Sequence, residues 1–276
     1  MEGADTKTRP PIGKFIGFDY VTFWVGNAKQ AASYYTSRFG FEYFAYKGLE
    51  TGERCTVTHV VRKNKIVFAF SSSYGTFENK DSSMGEHLLK HGDGVKDVAF
   101  EVEDCKKTYE VAVSRGAKSV MEPTTLKDDN GSVILATIQT YGDTTHTLIQ
   151  RTDYKGLFLP GFVDHPLRDP LNKIMGDSGI LYIDHIVGNQ AEHEMEPTVE
   201  WYERFLDFHR FWSVDDKIMH TEYSALNSVV VADFDEVIKM PINEPAKGKR
   251  KSQIQEYVDY YVGAGVQHIA LRTENI

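Results

Sequence analysis

The amino-acid sequence predicts an α+β fold built from tandem βαβββ modules and arranged as two domains. Three observations support this prediction. Short β-branched and aromatic segments alternate with single helical segments, this order of elements recurs along the chain, and two pairs of segments match each other in sequence. The chain has 276 residues, of which 41% are hydrophobic, so it is long enough for two packed domains.

The first module starts with the aromatic and β-branched segment Phe18–Val25, which predicts a strand. Asn27 is a suitable N-cap for the helix that follows, and Gly40 is a suitable residue to end it. Three further strands are predicted at Phe41–Lys47, Thr56–Arg62 and Lys65–Ser71. The segment therefore has the order βαβββ.

The second module repeats this order, with a strand at Val95–Val102 and a helix that is capped by Asp104 and ends at Gly116. Two more strands are predicted at Val133–Gln139 and Thr145–Arg151. Proline and glycine are spread through residues 152–179, which indicates a connection between domains. We therefore expect an N-terminal domain over residues 1–151 and a second domain over residues 180–276.

The third module is predicted to contain a strand at Ile180–Gly188 and a helix opened by Pro197. Two strands follow near His209–Ser213 and Ser228–Ala232. The fourth module begins at Val266, and one strand and part of a turn precede the last residue, so we expect the second domain to be truncated in its fourth module.

Two histidines lie at matching positions of the repeat. Residues 18–21 align with residues 183–186, and residues 92–100 align with residues 263–271. This alignment places His185 and His268 in the first strands of the third and fourth modules, where the first domain has Tyr20 and Asp97. If these strands face one cavity, the two imidazoles form a metal site, although two histidines alone fit Fe, Zn, Cu or Ni. The other eight histidines, including His193 in its acidic loop, are interpreted as structural or solvated.

Composition excludes several functional classes. The formal net charge of −9 disfavours binding to a phosphate backbone, and the basic run at residues 247–251 is short and is interpreted as a solvated loop. No stretch approaches the roughly 18 apolar residues of a membrane span. The only cysteines, Cys55 and Cys105, fit free thiols in a reducing compartment, so we expect a cytoplasmic protein.

Three segments give the sequence a family resemblance. Residues 183–189 (IDHIVGN), 239–245 (KMPINEP) and 263–270 (GAGVQHIA) resemble signature segments of animal 4-hydroxyphenylpyruvate dioxygenases. The resemblance extends over essentially the whole chain. The βαβββ modules are similar to those of the vicinal oxygen chelate, or glyoxalase-like, superfamily to which these enzymes belong.

The resemblance implies a site as well as a fold. It implies that His185 and His268 bind Fe(II) together with a glutamate from the fourth module, and no residue of this sequence matches that glutamate. It also implies that four polar residues line the substrate pocket: Ser224, Asn243, Gln253 and Gln267. Taken alone, these four read equally well as turn, loop, helix-start and strand residues, and Gln253 lies in a capping-box pattern.

The activity implied by the resemblance is the conversion of 4-hydroxyphenylpyruvate and O2 to homogentisate and CO2 in tyrosine catabolism. The resemblance also suggests a homodimer formed through the N-terminal domain. Two alternatives stay open at this stage. One is a hydroxymandelate synthase-like dioxygenase that acts on the same 2-oxo acid, and the other is a non-catalytic truncated form.

Overall fold

A computed structural model of the protein describes residues 8–75, 83–174, 176–211 and 225–275. The first two modules contain β1 (Phe15–Trp24), α1 (Ala28–Phe39), β2 (Glu42–Lys47), β3 (Thr56–Lys63), β4 (Ile66–Ser73), α2 (Ser83–His91), β5 (Gly94–Val102), α3 (Cys105–Ser114), β6 (Ser119–Asp128), β7 (Gly131–Gln139) and β8 (Thr145–Gln150). They are followed by β9 (Val163–Asp164), β10 (Ile180–Asn189), α4 (Met195–Leu206), β11 (His209–Phe211), β12 (Ala225–Ala232), β13 (Lys239–Ala246), α5 (Gln253–Tyr261) and β14 (Gly265–Thr273). No helix in these residues is long and apolar enough to cross a membrane.

Local sequence signals account for the helix ends. The side chain of Asn27 accepts the backbone N–H of Gln30, and Gly40 adopts a left-handed conformation with φ of 71°, so the predicted limits of α1 are confirmed. Asp104 caps α3 in the same way. Helix α4 begins at Met195 rather than at Pro197, which places the proline in the first turn, where its missing N–H costs no hydrogen bond.

The strands form two sheets with a common central pattern. The nine-stranded sheet has the order β6-β7-β8-β5-β1-β4-β3-β2-β9, and the five-stranded sheet has the order β11-β12-β13-β10-β14. In the first sheet, β1 pairs with β4 in parallel and with β5 antiparallel. In the second, β10 pairs with β13 in parallel and with β14 antiparallel. The second sheet therefore repeats the centre of the first.

The repeat extends to the irregularities of the backbone. The β1–β5 ladder shifts register at three places, between Phe15 and Gly17, Phe18 and Tyr20, and Thr22 and Phe23. The β10–β14 ladder shifts at the three matching places, between Ile180 and Tyr182, Ile183 and His185, and Val187 and Gly188. Bulges re-aim the side chains beside them. The matching bulges confirm the alignment of the repeated segments.

One hydrophobic core joins the two sheets, because buried side chains of β1, β5, β10 and α4 belong to the same cluster. Polar contacts cross the same junction. Arg115, after α3, forms two hydrogen bonds of 2.7 and 3.0 Å with the carboxylate of Asp207, after α4. The hydroxyl of Tyr202 on α4 lies 2.7 Å from Nε2 of His146 on β8. The third module is therefore packed directly against the second.

Four elements were not predicted from the sequence: α2, β6, β9 and β13. Strand β13 contains Pro241 and Pro245, and proline disfavours a central strand. The structure accommodates both because β13 pairs with β12 along its length but with β10 only at Ile242 and Asn243. At each proline, β13 therefore pairs with β12 but not with β10.

Candidate metal centre

His185 and His268 lie side by side on the two central strands of the second sheet. His185 is opposite Ala270 and His268 is opposite Val187, so the two histidines are diagonal neighbours on one face. Their ring centroids are 5.7 Å apart and their planes are inclined by 73°. The structure thus brings together the two residues that the repeat selected.

Hydrogen bonds fix which nitrogen of each ring is available. Nδ1 of His185 lies 2.8 Å from Oδ2 of Asp184, and Nδ1 of His268 lies 2.8 Å from Oε1 of Gln267. Carboxylate and amide oxygens only accept hydrogen bonds, so each Nδ1 carries the proton and each Nε2 keeps a lone pair. Metal-ligating histidines commonly have this arrangement. The donor set therefore fits a divalent transition metal such as Fe(II).

The surroundings favour the neutral, ligating form of one ring. Partial desolvation, and secondarily the electrostatic influence of the nearby His185, lower the pKa of His268 from its ordinary value. In the described part of the chain, no group of three His, Cys, Asp or Glu side chains is placed to hold a metal ion.

Three of the four predicted pocket residues lie in the described part of the chain. Asn243 is buried on β13, where it pairs with Asn189, and its Nδ2 lies 3.4 Å from Oδ1 of that residue. Gln267 contacts His268 directly. Gln253 is the first residue of α5 and is exposed. Ser224 lies outside the described residues.

The corresponding face of the first sheet is filled. Tyr20 and Asp97 occupy the positions of the two histidines, and the ring of Tyr20 packs against that of Phe158 at 5.1 Å. Phe158 and Leu159, from the segment predicted as a connection, are buried in the same cluster. Asp97 accepts a 2.6 Å hydrogen bond from Thr145, and burial raises its pKa to about 6. In the first sheet, the positions that correspond to the two histidines are therefore occupied by a packed aromatic side chain and a hydrogen-bonded carboxylate.

Most of the remaining histidines have internal roles. Leu167 donates its N–H to Nδ1 of His165, which leaves the proton of that ring on Nε2, 2.8 Å from Nδ1 of His59. The two rings are thus a neutral pair, and burial lowers the pKa of each to about 4. The side chain of His193 is 87% exposed, which confirms its interpretation as a solvated residue.

The sequence and the fold match known proteins. The sequence model of the Glyoxalase/Bleomycin resistance protein/Dioxygenase superfamily matches residues 17–150 and 182–276. The 4-hydroxyphenylpyruvate dioxygenase of Tetrahymena thermophila is 61% identical over 269 residues, which are 97% of this chain and 67% of that protein. The same enzyme of Dictyostelium discoideum is 60% identical over 94% of this chain and 70% of its own length. The chain thus spans about two thirds of the length of these relatives.

A solved structure supports the fold independently. A mutant of 4-hydroxymandelate synthase from Streptomyces coelicolor superimposes with a TM-score of 0.76 and 22% sequence identity, over 92% of this chain and 70% of that one. The α+β fold of glyoxalase-like modules predicted from the sequence is confirmed. The predicted enzyme class, an oxidoreductase of the dioxygenase type with a metal cofactor, agrees with the named relatives. The chain belongs to the 4-hydroxyphenylpyruvate dioxygenase family.

Proposed function

We propose that His185 and His268 hold Fe(II), and that the protein uses this site to convert 4-hydroxyphenylpyruvate and O2 to homogentisate and CO2. The observation that supports the metal site most directly is the pair of rings 5.7 Å apart, each with its Nδ1 engaged by an adjacent side chain. Membership of the family supports the reaction. Fe(II), when bound, would supply the activation of dioxygen, which amino-acid side chains do not provide.

The protein's own contribution is binding and orientation. Two neutral imidazoles leave the charge of a divalent ion uncompensated, which favours an anionic ligand such as the carboxylate of a 2-oxo acid. We assign Asn243 and Gln267, with Ser224 and Gln253, to the polar wall that orients the substrate. The buried amide of Asn189 supports this assignment, because its Nδ2 has no hydrogen-bond partner among the described residues.

We assign different tasks to the two domains. Residues 180–276 form the metal-binding domain, and residues 1–151 form a supporting domain without metal ligands. The filled face around Tyr20 and Phe158 supports the second assignment, and the shared core explains how the first domain stabilises the strands of the site. We also propose that the protein is cytoplasmic and that it forms a homodimer through the N-terminal domain. Sedimentation would test the homodimer.

Product analysis distinguishes the proposed reaction from the alternatives. Purified protein would be loaded anaerobically with Fe(II), mixed with 4-hydroxyphenylpyruvate and air-saturated buffer, and followed by oxygen uptake and chromatography. We expect homogentisate, with oxygen and CO2 in equal amounts. Hydroxymandelate as the product would indicate the alternative regiochemistry. Absence of oxygen uptake would contradict the proposed activity of this chain.

Histidine variants connect the activity to the site. His185→Ala and His268→Ala should each lose turnover, since one imidazole is a much weaker metal ligand than two. The matched control is His193→Asn, because His193 is exposed and its φ of 69° suits asparagine. Loss of activity in all three variants would point to a general defect, whereas unchanged activity in either alanine variant would rule out the site.

A further inference from the structure

The function proposed above uses the contact between Asp184 and His185 as an observation but assigns Asp184 no task. In a regular strand, adjacent side chains point to opposite faces of the sheet. The register shift between Ile183 and His185 interrupts that alternation, and the carboxylate of Asp184 lies 2.8 Å from Nδ1 of the next residue. The bulge therefore makes possible a contact that sequence spacing alone argues against.

We propose that Asp184 is a positioning residue for His185. Its carboxylate accepts the Nδ1–H, which holds the ring in one orientation and in the tautomer whose Nε2 has the lone pair. A carboxylate acceptor also makes the imidazole a stronger donor to a metal ion. This inference rests on the proposed metal role of His185.

The second histidine of the site provides an internal comparison. His268 is held in the same way by the adjacent residue, but the acceptor there is the neutral amide oxygen of Gln267. The two imidazoles therefore have the same tautomer and acceptors of different charge.

The first domain shows that the bulge alone does not create such a contact. Asp19 lies at the matching bulge, but its carboxylate is bound by the guanidinium of Arg151 through hydrogen bonds of 2.7 and 2.8 Å, and Tyr20 replaces the histidine. In the described part of the chain, the hydrogen-bond partner of Asp184 is His185. At this bulge, Asp19 forms an ion pair with Arg151 in the first repeat, and Asp184 accepts a hydrogen bond from His185 in the second.

The test compares Asp184→Ala and Asp184→Asn with the wild-type protein by two measurements. Nitrogen-15 chemical shifts of the metal-free protein report the tautomer of His185, and anaerobic calorimetry reports the affinity for Fe(II). We expect Asp184→Ala to lose the single tautomer and to bind Fe(II) about 10- to 100-fold more weakly. Asp184→Asn should retain part of both properties, because its amide oxygen still accepts the proton as that of Gln267 does.

Asp129→Ala, at an exposed turn position, is the control and should change neither measurement. A wild-type tautomer and wild-type affinity in Asp184→Ala would overturn the inference. If the wild-type protein itself bound no Fe(II), the proposed function would fail, and the tautomer measurement would still decide the role of Asp184. If the alanine variant did not fold, the isosteric Asp184→Asn would be used for the same comparison.

Discussion

Replacing Tyr202 by phenylalanine should destabilise the junction between the two sheets. Tyr202 is fully buried on α4, and its hydroxyl donates a 2.7 Å hydrogen bond to Nε2 of His146 on β8. Nδ1 of His146 donates to the carbonyl oxygen of Val98 at 3.0 Å, so Nε2 is the accepting nitrogen. Burial lowers the pKa of His146 to about 4, which keeps the ring neutral at ordinary pH. The pair is therefore a neutral hydrogen bond inside the core.

The expected cost follows from what the substitution leaves behind. Tyr202→Phe keeps the ring and its stacking on Phe208 but leaves Nε2 of His146 as a buried acceptor without its partner. An unsatisfied buried acceptor costs about 1–3 kcal/mol. Each kcal/mol lowers the Tm of a chain of this size class by about 2–4 °C. A fall of several degrees is expected.

Thermal and urea unfolding, followed by circular dichroism and tryptophan fluorescence, would measure this cost. Tyr260→Phe is the matched control, because Tyr260 is 85% exposed and should change stability by less than about 0.5 kcal/mol. In a double-mutant cycle with His146→Phe, the coupling energy should be about 1 kcal/mol. A Tyr202→Phe variant as stable as the wild type would refute the role assigned to this hydrogen bond.

Two further predictions concern a histidine pair and a turn. A histidine in the unfolded chain has a pKa of about 6.5, whereas the pKa values of His59 and His165 in the folded protein are lowered to about 4. Between these pH values the unfolded state binds more protons than the folded state. The free energy of unfolding should therefore fall by about 3 kcal/mol as the pH drops from about 6.5 to 4. Unfolding titrations should show this loss, and a slope unchanged in His165→Asn would contradict it. Gly142→Ala should lower the free energy of unfolding by about 1–3 kcal/mol, because its φ is 54° and a Cβ would collide with the carbonyl oxygen of Ala264. Gly161→Ala, with φ of 87° and open space, isolates the backbone strain, and an equal Tm loss in both variants would show that the collision costs nothing.

Much of the architecture was predictable because the chain repeats itself. The alignment of residues 18–21 with residues 183–186 matched His185 to Tyr20. The structure shows bulges at the matching positions of the β1–β5 and β10–β14 ladders. Caps such as Asn27 and Asp104 fixed helix ends through local hydrogen bonds. These features depend on nearby residues, so the sequence contains them directly.

Other features depend on contacts that local patterns do not encode. Phe158 and Leu159 lie among prolines and glycines typical of a linker, yet tertiary packing buries them against Tyr20. Asp184 was passed over because adjacent strand residues normally face apart, and only the bulge brings its carboxylate to His185. Pro241 and Pro245 concealed β13, since their tolerance depends on which neighbour the strand has at each point.

The central claim is that His185 and His268 together bind the metal ion on which the reaction depends. Anaerobic titration of the purified protein with Fe(II), read by calorimetry, tests this claim most directly. One tight site per chain is expected in the wild type and in His193→Asn, and its loss is expected in both His185→Ala and His268→Ala. Undiminished Fe(II) binding in either alanine variant would contradict the claim.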